Sequence, residues 1–452
     1  MTWYLQIARF EWGVGGEAAT GFDLGDKVVE FEVAEPALTI ERRQGRFDGT
    51  RAVAHRGETV VDSALVRAGT ADPHGACHTV ATALRRALLW QESLRADRRV
   101  VVRFRDSTRH GATEWYEAPL INGTVRLQKG PFLRLTWERG PYWSGPETLL
   151  KVKNNWTQYS GVVTPDSDGF YDYAQVMNCD DMDPTHNNWV IVETPDGTVE
   201  TPLRLRVQNN YNSTRRLKTV RVGWGARPQK LTLEGEDSEL TPYSEPGEGY
   251  SNMARGRTTE FRWTIAQSLV SDLVGRFRVL ANGQLNGATW TFAAGYALTR
   301  EQYAVQDNGE TTATGQNGWT DLGEIVLPPG GFVHQPRADL RLWLSGSAES
   351  WLDYVVLLPV ENDQYRRIFF NEGYNCQYEA CMEDDGWRNE LAYELAGVRY
   401  ASLQAHGNPL WVTPAESAQM LSFALENDGN GAEALRTAIV QVFARPHYDW
   451  LP

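Results

Sequence analysis

The chain has 452 residues, of which 41% are hydrophobic and 23% are charged. This length exceeds a single ordinary core and predicts two or three domains, and the composition excludes wholesale disorder. The net charge of −14, from 44 basic and 58 acidic residues, argues against sequence-specific nucleic-acid binding, because such proteins need basic patches to replace phosphate counterions.

Neither a membrane span nor a secretory signal is predicted. No apolar run approaches the ~18 residues that cross a bilayer. The first ten residues, Met1–Phe10, lack a basic start followed by an apolar core, and we expect them to form a first strand. We therefore expect no membrane insertion, and release from the cell by lysis or by assembly into a particle.

Residues 1–150 are predicted to contain strands and one long helix. Asp72-Pro73 is a helix start, and apolar residues then recur at three- and four-residue steps from Ala76 to about Arg95. This indicates a helix of roughly 20 residues, or ~30 Å. Strand signals follow it at Val100–Arg105, Glu114–Pro119, Gly123–Leu127 and Phe132–Trp137, before a break rich in Gly and Pro at Arg139–Pro146.

Residues 151–188 are rich in Asn, Asp, Gly, Tyr and Ser, with little periodicity, and are predicted to be an ordered linker or a long loop. Asp166, Asp168 and Asp172 resemble the start of a calcium loop. An EF-hand needs a glutamate at its twelfth position, where Met177 stands. The three carboxylates could hold a cation, or they could belong to a solvated turn.

Residues 189–360 are predicted to form a two-sheet sandwich, a jelly roll, because many short alternating segments are separated by turn signals. Asn282-Gly283 and Asn286-Gly287 are tight-turn signals. The strongest strand patterns lie at Leu203–Val207, Leu217–Val222, Phe261–Ile265, Trp290–Phe292, Leu340–Leu344 and Trp351–Leu358.

Residues 361–452 form a closing β section that is either a separate domain or a return that completes the first one. Asp385-Gly386 indicates a hairpin turn. Cys376 and Cys381 are the only close pair among the four cysteines. They could join neighbouring strands by a disulfide, or stay free thiols in a reducing cytosol.

Seventeen tryptophans are the most informative feature of the composition. An exposed ring offers a flat apolar face on which a sugar can stack, whereas a ring in an alternating strand belongs to the core. Trp290, Trp319 and Trp351 are the candidates for a glycan platform. Trp319 follows Gly318 before a turn, so we expect it to be the most exposed of them.

No enzymatic motif is present. The sequence has no Gly-x-Ser-x-Gly elbow, Walker loop, dinucleotide fingerprint or His-Glu-x-x-His pattern. We therefore predict no catalytic residue, no cofactor and no enzymatic activity. Hydrolysis of envelope polysaccharide remains an alternative, but 58 acidic residues supply candidate carboxylates without singling out a pair.

The order of segments in the first 150 residues carries a family resemblance. A strand opening, paired strands around Leu38–Arg42, a helix of the Cys77–Leu94 type, the strand Val100–Phe104 and the closing segment Leu133–Trp143 follow one another. This order resembles the amino-terminal domain of the distal tail proteins of long-tailed phages, a Dit-like family. Near the end, Gly407–Ser417 and Leu421–Phe423 are similar to the terminal strands of such proteins, with Ala415 in place of the usual glycine.

The central section resembles carbohydrate-binding-like jelly rolls that occur as insertions or extensions in these proteins. The segments Trp319–Pro328 and Leu352–Pro359 carry this likeness. The chain would then be mainly β: an amino-terminal sheet domain with one long helix, a β-sandwich and a closing β section.

The resemblance implies a structural protein of the virion tail, made in the host cytoplasm. Distal tail proteins form a ring, usually hexameric, between the tail tube and the tip or baseplate proteins, and their outward domains can contact host surface glycans. The implied partners are copies of the chain itself, tail-tube and tip proteins, and host glycans. A carbohydrate-binding adhesin is the main alternative.

Overall fold

A computed structural model of the protein describes residues 3–11, 20–25, 28–34, 38–44, 50–56, 59–68, 72–92, 98–106, 114–154, 168–178, 188–210, 216–225, 232–235, 237–239, 244–246, 254–265, 275–285, 287–295, 310–327, 340–370, 375–388, 390–400, 402–414, 419–427 and 437–449.

The chain is mainly β, as predicted, and all registered strand pairs are antiparallel. Among the described residues there is one α-helix, α1 (Pro73–Glu92). No helix of the described chain has the length and apolarity needed to cross a membrane. The strands in chain order are β1 (Trp3–Glu11), β2 (Thr20–Gly25), β3 (Val28–Glu32), β4 (Leu38–Gln44), β5 (Thr50–Arg56), β6 (Val60–Arg67), β7 (Arg98–Asp106), β8 (Tyr116–Leu127), β9 (Phe132–Arg139), β10 (Trp143–Ser144), β11 (Thr148–Leu150), β12 (Val152–Lys153), β13 (Ala174–Met177), β14 (Trp189–Val192), β15 (Thr201–Asn209), β16 (Leu217–Gly225), β17 (Thr232–Glu234), β18 (Ser244–Pro246), β19 (Ala254–Ile265), β20 (Gly275–Gln284), β21 (Thr289–Gly295), β22 (Glu310–Thr314), β23 (Asn317–Leu327), β24 (Leu340–Pro359), β25 (Tyr365–Phe370), β26 (Cys381–Asp385), β27 (Glu390–Leu395), β28 (Val398–Tyr400), β29 (Leu403–Gly407), β30 (Trp411–Val412), β31 (Gln419–Asn427), β32 (Thr437–Ala444) and β33 (His447–Tyr448).

The chain divides into two compact units. Unit 1 comprises residues 1–148, 196–201 and 445–452, and unit 2 comprises residues 149–195 and 202–444. The final residues thus return to unit 1, where β33 pairs with β10. The rest of the closing β section lies in unit 2.

Unit 1 is built on a nine-stranded sheet with the main order β2-β1-β7-β8-β9-β6-β3. The expected pairing around Leu38–Arg42 is confirmed, because β4 and β5 form a separate two-stranded hairpin. Strand β8 was expected as two strands and is one. Its register against β9 shifts between Leu120 and Asn122, and this bulge explains the break in the sequence pattern.

The helix of unit 1 begins where the sequence indicates. Asp72 caps it, since its Oδ1 accepts a hydrogen bond of 2.8 Å from the Gly75 backbone N–H. The helix ends at Glu92, and residues 93–97, which contain the predicted end, lie outside the described residues. Leu84 is buried against β8 at Gly123, where a Cβ would lie 2.9 Å from Leu84 Cδ2. Glycine at this position therefore permits the close packing of helix on sheet.

The sheet of unit 1 has one buried face and one wet face. In β9, Leu133, Leu135 and Trp137 are buried while the residues between them are half-exposed, which confirms the predicted alternation. The next inward residue is Arg139, which is fully buried beside Asp62 of β6. Burying such a pair is favourable only when every polar atom finds a partner.

The Asp62–Arg139 pair meets that condition. Arg139 Nε donates to Asp62 Oδ2 at 2.5 Å, and its two other nitrogens donate to the carbonyl oxygens of Gly140 and Ala34. The Ala34 backbone N–H donates to Asp62 Oδ1 at 2.9 Å. The guanidinium also lies 4.6 Å from the ring centroid of Trp143. The pair therefore connects three segments of unit 1.

Two of the three sheets of unit 2 pack face to face and enclose one core. The first has the main order β11-β32-β15-β26-β27-β28, and the second has the order β12-β14-β31-β16-β25-β29. Leu205 and Val442 of the first sheet and Val222 and Ile368 of the second belong to the same buried cluster. Strands β12 and β13 lie within the predicted linker 151–188 and pair into these sheets.

A third sheet of unit 2 is inserted between two neighbouring strands. Strands β16 and β25 pair directly, yet β17–β24, with a core of their own, come between them in sequence. Strand pairing therefore crosses the expected boundaries at 188/189 and 360/361. The alternation repeats in both sheets, so the pattern itself cannot tell which sheet a strand joins. We call residues 232–359 the inserted sheet.

The inserted sheet confirms two predicted strand segments, which join into one strand, and corrects one predicted turn. Leu340–Leu344 and Trp351–Leu358 lie in one 20-residue strand, β24, which pairs with β17, β19, β20 and β21. Asn282-Gly283 is not a turn but lies in β20, where Gly283 allows the backbone of Trp351 to approach closely. The second signal is a turn: Gly287 has a φ of 70°, and the Ala288 N–H donates to the Leu285 carbonyl.

Candidate functional site

Trp290 cannot serve as the glycan platform predicted for it. Its side chain is fully buried in the core of the inserted sheet, with its ring centroid 6.0 Å from that of Phe261. Its Nε1–H donates to the Leu285 carbonyl at 3.2 Å. Because no face of the ring reaches solvent, the alternative interpretation, a core residue, is the one the structure supports.

Trp319 was expected to be the most exposed candidate and is only 9% exposed. It lies where the inserted sheet packs on β31, and its Nε1–H donates to the Leu425 carbonyl at 3.3 Å. Tyr354 meets its ring edge-on at 5.5 Å, and the Arg221 guanidinium lies 5.7 Å from its centroid. This tryptophan therefore joins two sheets of unit 2 and offers no platform to a ligand.

Trp351 differs from both, because it is only half-buried on the outer face of β24. The residue after it, Leu352, points into the core and is fully buried. Arg257 of β19 and Gln284 of β20 lie directly opposite Trp351 on its two sides, and both are exposed. One of the three predicted tryptophans thus remains a candidate for contact with a ligand.

The predicted calcium loop is only partly described. Asp166 lies outside the described residues, and Asp168 and Asp172 are exposed on either side of Gly169, whose φ of 80° marks a turn. Within the described part of the chain, no three His, Cys, Asp or Glu side chains come together as a metal site. The calcium site remains an untested prediction.

The closest cysteine pair exists as two separate thiols. Cys376 and Cys381 are both buried and form no disulfide. The Cys376 thiol donates a hydrogen bond to the Ala380 carbonyl oxygen, with an Sγ–O distance of 3.2 Å. Burial raises the pKa of the Cys376 thiol well above its ordinary value. A neutral buried thiol is a poor nucleophile, so the pair offers no reactive site.

A network of charged side chains covers the outer face of β15, β26 and β27. Glu383 accepts hydrogen bonds from Arg399 at 2.7 Å and lies 3.8 Å from Arg204. Burial raises the pKa of nearby Glu390 to about 7, although Arg399 and Arg388 oppose the shift. A carboxyl that titrates near neutrality is a common feature of catalytic sites, but ion-pair networks produce the same shift.

Unit 1 exposes large apolar side chains that its core does not use. Val61 is 58% exposed and lies opposite Glu138 on the wet face of the sheet. Ile121, at the bulge of β8, is 45% exposed, and Leu89 on the helix is 64% exposed. Val29 of β3 is 53% exposed as well, and we call these four side chains, which lie on separate elements, the exposed apolar residues of unit 1.

Charge is distributed unevenly along the chain. Residues 1–150 contain 20 basic and 19 acidic residues, whereas residues 151–452 contain 24 basic and 39 acidic residues. The acidic excess therefore belongs to the second part of the chain. Copies of a nearly neutral domain can approach one another without the repulsion that copies of a strongly acidic domain experience.

Sequence patterns missed the exposed apolar residues of unit 1, since Val61 and Ile121 look like ordinary strand residues. The signal that could have found them is the alternation of side chains along the strand. Val61 lies an even number of residues from Arg67 and therefore faces the same side, whereas Val60 and Val66 face the buried side. The buried Asp62–Arg139 pair was missed for the opposite reason, since charged residues are expected at the surface.

Comparison with known proteins finds similar solved structures but shows no family. No family model matches the chain, and no curated protein does. Among solved structures, the chain is similar to the Dit protein of phage SPP1, described as a paradigm of the hub of the adsorption apparatus in phages that infect Gram-positive bacteria. The similarity covers 97% of this chain and 98% of that one, at 10% identity and a TM-score of 0.30. A similarity this low carries no argument about fold or function.

Proposed function

We propose that this protein is a structural component of a phage tail, located at the tip or baseplate, and that unit 1 joins copies of the chain into a ring. The proposal begins with the sequence resemblance to distal tail proteins. The segments that carry this resemblance are present as β1, the β4–β5 hairpin, α1, β7 and β9, in that order.

The observation that carries the assembly role is the concentration of assembly features in the first part of the chain. Four of the seven large apolar residues that are exposed in the described chain lie in unit 1, in about the first third of the sequence. The same residues 1–150 have almost no net charge. Association through a neutral, partly apolar surface needs no charge compensation.

The two ends of the unit 1 sheet suit a ring. In the described residues β2 and β3 pair on one side only, and they stand at opposite ends of the order. A ring with rotational symmetry is heterologous, so it needs two different surfaces on each copy. The order contains seven strands, each antiparallel to the next, so the first (β2) and the last (β3) run in the same direction. If β3 of one copy met β2 of the next copy around a ring, the contact would therefore be parallel.

The ring is tested by measuring the mass and shape of the full-length protein, alone and with tail-tube protein. Native mass spectrometry and electron microscopy should show a closed oligomer, hexameric by the resemblance. Val61→Asp should reduce the oligomer strongly, because it places a charge in the apolar contact. Val398→Asp is the matched control: Val398 is 51% exposed but lies in unit 2.

Two outcomes would contradict this role. One is a protein that stays monomeric both alone and with tail-tube protein, and never enters purified virions. The other is an equal effect of the Val61→Asp and Val398→Asp substitutions, which would remove unit 1 as the assembly region.

We further propose that the inserted sheet contacts glycans of the host surface. The support is its position in the sequence, between two paired strands of the underlying sandwich, which makes it an addition to that sandwich. If virions with an altered inserted sheet still assemble but no longer adsorb to the host, that result would support this second part. Cleavage of envelope polysaccharide by the purified protein would instead favour the hydrolase alternative.

A further inference from the structure

Trp351 stands out among the tryptophans of the inserted sheet. The other four, at positions 263, 290, 319 and 343, are 0–9% exposed and explained by packing. Trp351 is half-buried on the outer face, where a large apolar ring gains less from the core than its size allows. The half-exposed ring of Trp351 therefore leaves apolar surface that a ligand can cover.

The neighbours of Trp351 are set by strand register. Arg257 and Gln284 pair with it directly from the two adjoining strands, so the three side chains lie on one face in a row across the sheet. With strands ~4.8 Å apart, this row spans roughly 10 Å. Its centre is apolar and its two ends are polar.

The Arg257 end of the row is positioned by further contacts. Glu349 forms an ion pair with Arg257 at 3.1 Å, and the guanidinium lies 5.3 Å from the ring centroid of Trp351. Both members of the ion pair are about half-exposed, so each keeps polar atoms available to a ligand. The guanidinium offers hydrogen-bond donors, the carboxylate offers acceptors, and the Gln284 amide offers both.

From this arrangement we infer that Trp351, Arg257, Gln284 and Glu349 form a binding site for an uncharged oligosaccharide. A pyranose ring has one face of C–H groups that can stack on Trp351, and hydroxyl groups at its rim that can bond to the flanking polar side chains. The row has about the length of a disaccharide.

Charge decides between uncharged and acidic glycans. The cation of the row, Arg257, already forms an ion pair with Glu349, so these two side chains together carry no net charge. Residues 151–452 carry 39 acidic against 24 basic residues, and such an excess repels a polyanionic polymer. The inference rests on the proposed contact of the inserted sheet with host glycans and names its residues and ligand class.

The test uses the full-length protein on an array of uncharged hexose and N-acetylhexosamine oligosaccharides, with acidic glycans on the same array. Wild-type protein should bind uncharged oligosaccharides, and titration calorimetry on the best of them should give an affinity that falls at least tenfold in Trp351→Ala. Gln284→Ala should weaken binding by a smaller factor. Tyr400→Ala, which removes a 47% exposed ring elsewhere in unit 2, should have no effect.

Several results would overturn the inference. These are the absence of binding to every uncharged glycan, unchanged affinity in both Trp351→Ala and Gln284→Ala, and binding restricted to acidic glycans and lost in Arg257→Ala. Gln284→Ala also keeps the test decisive if Trp351→Ala fails to fold. Oligomer mass and incorporation into tails are measured on the same variants, so a failed site with intact assembly is distinguished from failure of the tail role.

Discussion

Each of the two units contains a buried Arg–Asp ion pair, but the two pairs connect different kinds of structural elements. In unit 1, Asp62 and Arg139 lie on adjacent strands of a single sheet, and neither side chain is exposed. In unit 2, Asp384 of β26 accepts two hydrogen bonds, of 2.8 and 3.0 Å, from Arg366 of β25, which belongs to the opposite sheet. The first pair fixes strand register and the second fixes two sheets to each other.

This difference shows that a buried Arg–Asp pair does not indicate by itself what it organises. Each arginine also donates to backbone carbonyls, Arg139 to Gly140 and Ala34 and Arg366 to Gly407. Both pairs are therefore fully bonded, and removing either arginine leaves a buried carboxylate behind. Each unit also contains a titratable group whose pKa burial shifts strongly, His447 in unit 1 and Glu390 in unit 2.

The largest expected effect comes from breaking the more deeply buried pair. Arg139→Met should lower the free energy of unfolding of unit 1 by about 3–5 kcal/mol, because Asp62 loses its partner in a dry environment. Arg366→Met should have a smaller effect, since Arg366 retains 8% exposure. Denaturant unfolding, with hydrogen exchange to separate the two units, measures both.

The control for this comparison is Arg134→Met. Arg134 pairs with Glu32 at 3.4 Å but its side chain is 36% exposed, so its loss should cost less than about 1 kcal/mol. An effect of Arg134→Met as large as that of Arg139→Met would show that burial does not determine the importance of these pairs.

The next effect concerns acid. Burial, with a contribution from Arg445, lowers the pKa of His447 to about 4, below its ordinary value of 6.5. The stability associated with the neutral ring is present above pH 6.5 and is lost as the pH falls through 4. Unit 1 should therefore lose about 2–4 kcal/mol over this range.

His447→Gln should remove this part of the pH dependence, because glutamine does not titrate. Denaturant unfolding at pH 4.5 and pH 7.5 gives the comparison for each protein. The same loss in His447→Gln as in wild type would assign the acid sensitivity to another group.

Unit 2 should respond in the opposite direction through Glu390. Burial raises the pKa of this carboxyl from 4.5 to about 7. A raised carboxyl pKa contributes stability that is present below pH 4.5 and is lost as the pH rises through 7. Glu390→Gln should therefore make unit 2 more stable than wild type at pH 8 and nearly equal to it at pH 4.5, as judged by hydrogen exchange of β26 and β27. Lower stability of the variant at pH 8 would contradict this assignment.

The smallest expected effect concerns the hairpin that joins β27 and β28. Leu395 pairs with Val398, and the two residues between them, Ala396 and Gly397, have φ values of 49° and 78°. Both angles are those of a type I′ turn, in which alanine is strained and asparagine is favoured. Ala396→Asn should stabilise unit 2 by about 0.5–1 kcal/mol in denaturant unfolding, with unit 1 unchanged. Destabilisation would show that Ala396 makes a contact that outweighs its strain.

The sequence by itself determined the local structure. Alternation in Phe132–Trp137, the Asp72-Pro73 helix start and the Asp385-Gly386 turn all report interactions within a few residues, and the structure contains each of them. The mainly β class follows from the same local signals. These are physical requirements of hydrogen bonding and side-chain direction that do not depend on distant parts of the chain.

Only the tertiary structure decided which strands pair and which tryptophans are buried. Strand β16 pairs with β25 across an insertion of more than a hundred residues, and no local pattern encodes that partner. Trp319 and Trp351 both sit in alternating strands. Another sheet covers the outer face at Trp319 and at Tyr354, Val356 and Leu358 of β24, whereas Trp351, earlier in β24, remains half-exposed. Alternation fixes which side of a strand a residue faces, whereas burial depends on what packs against that side.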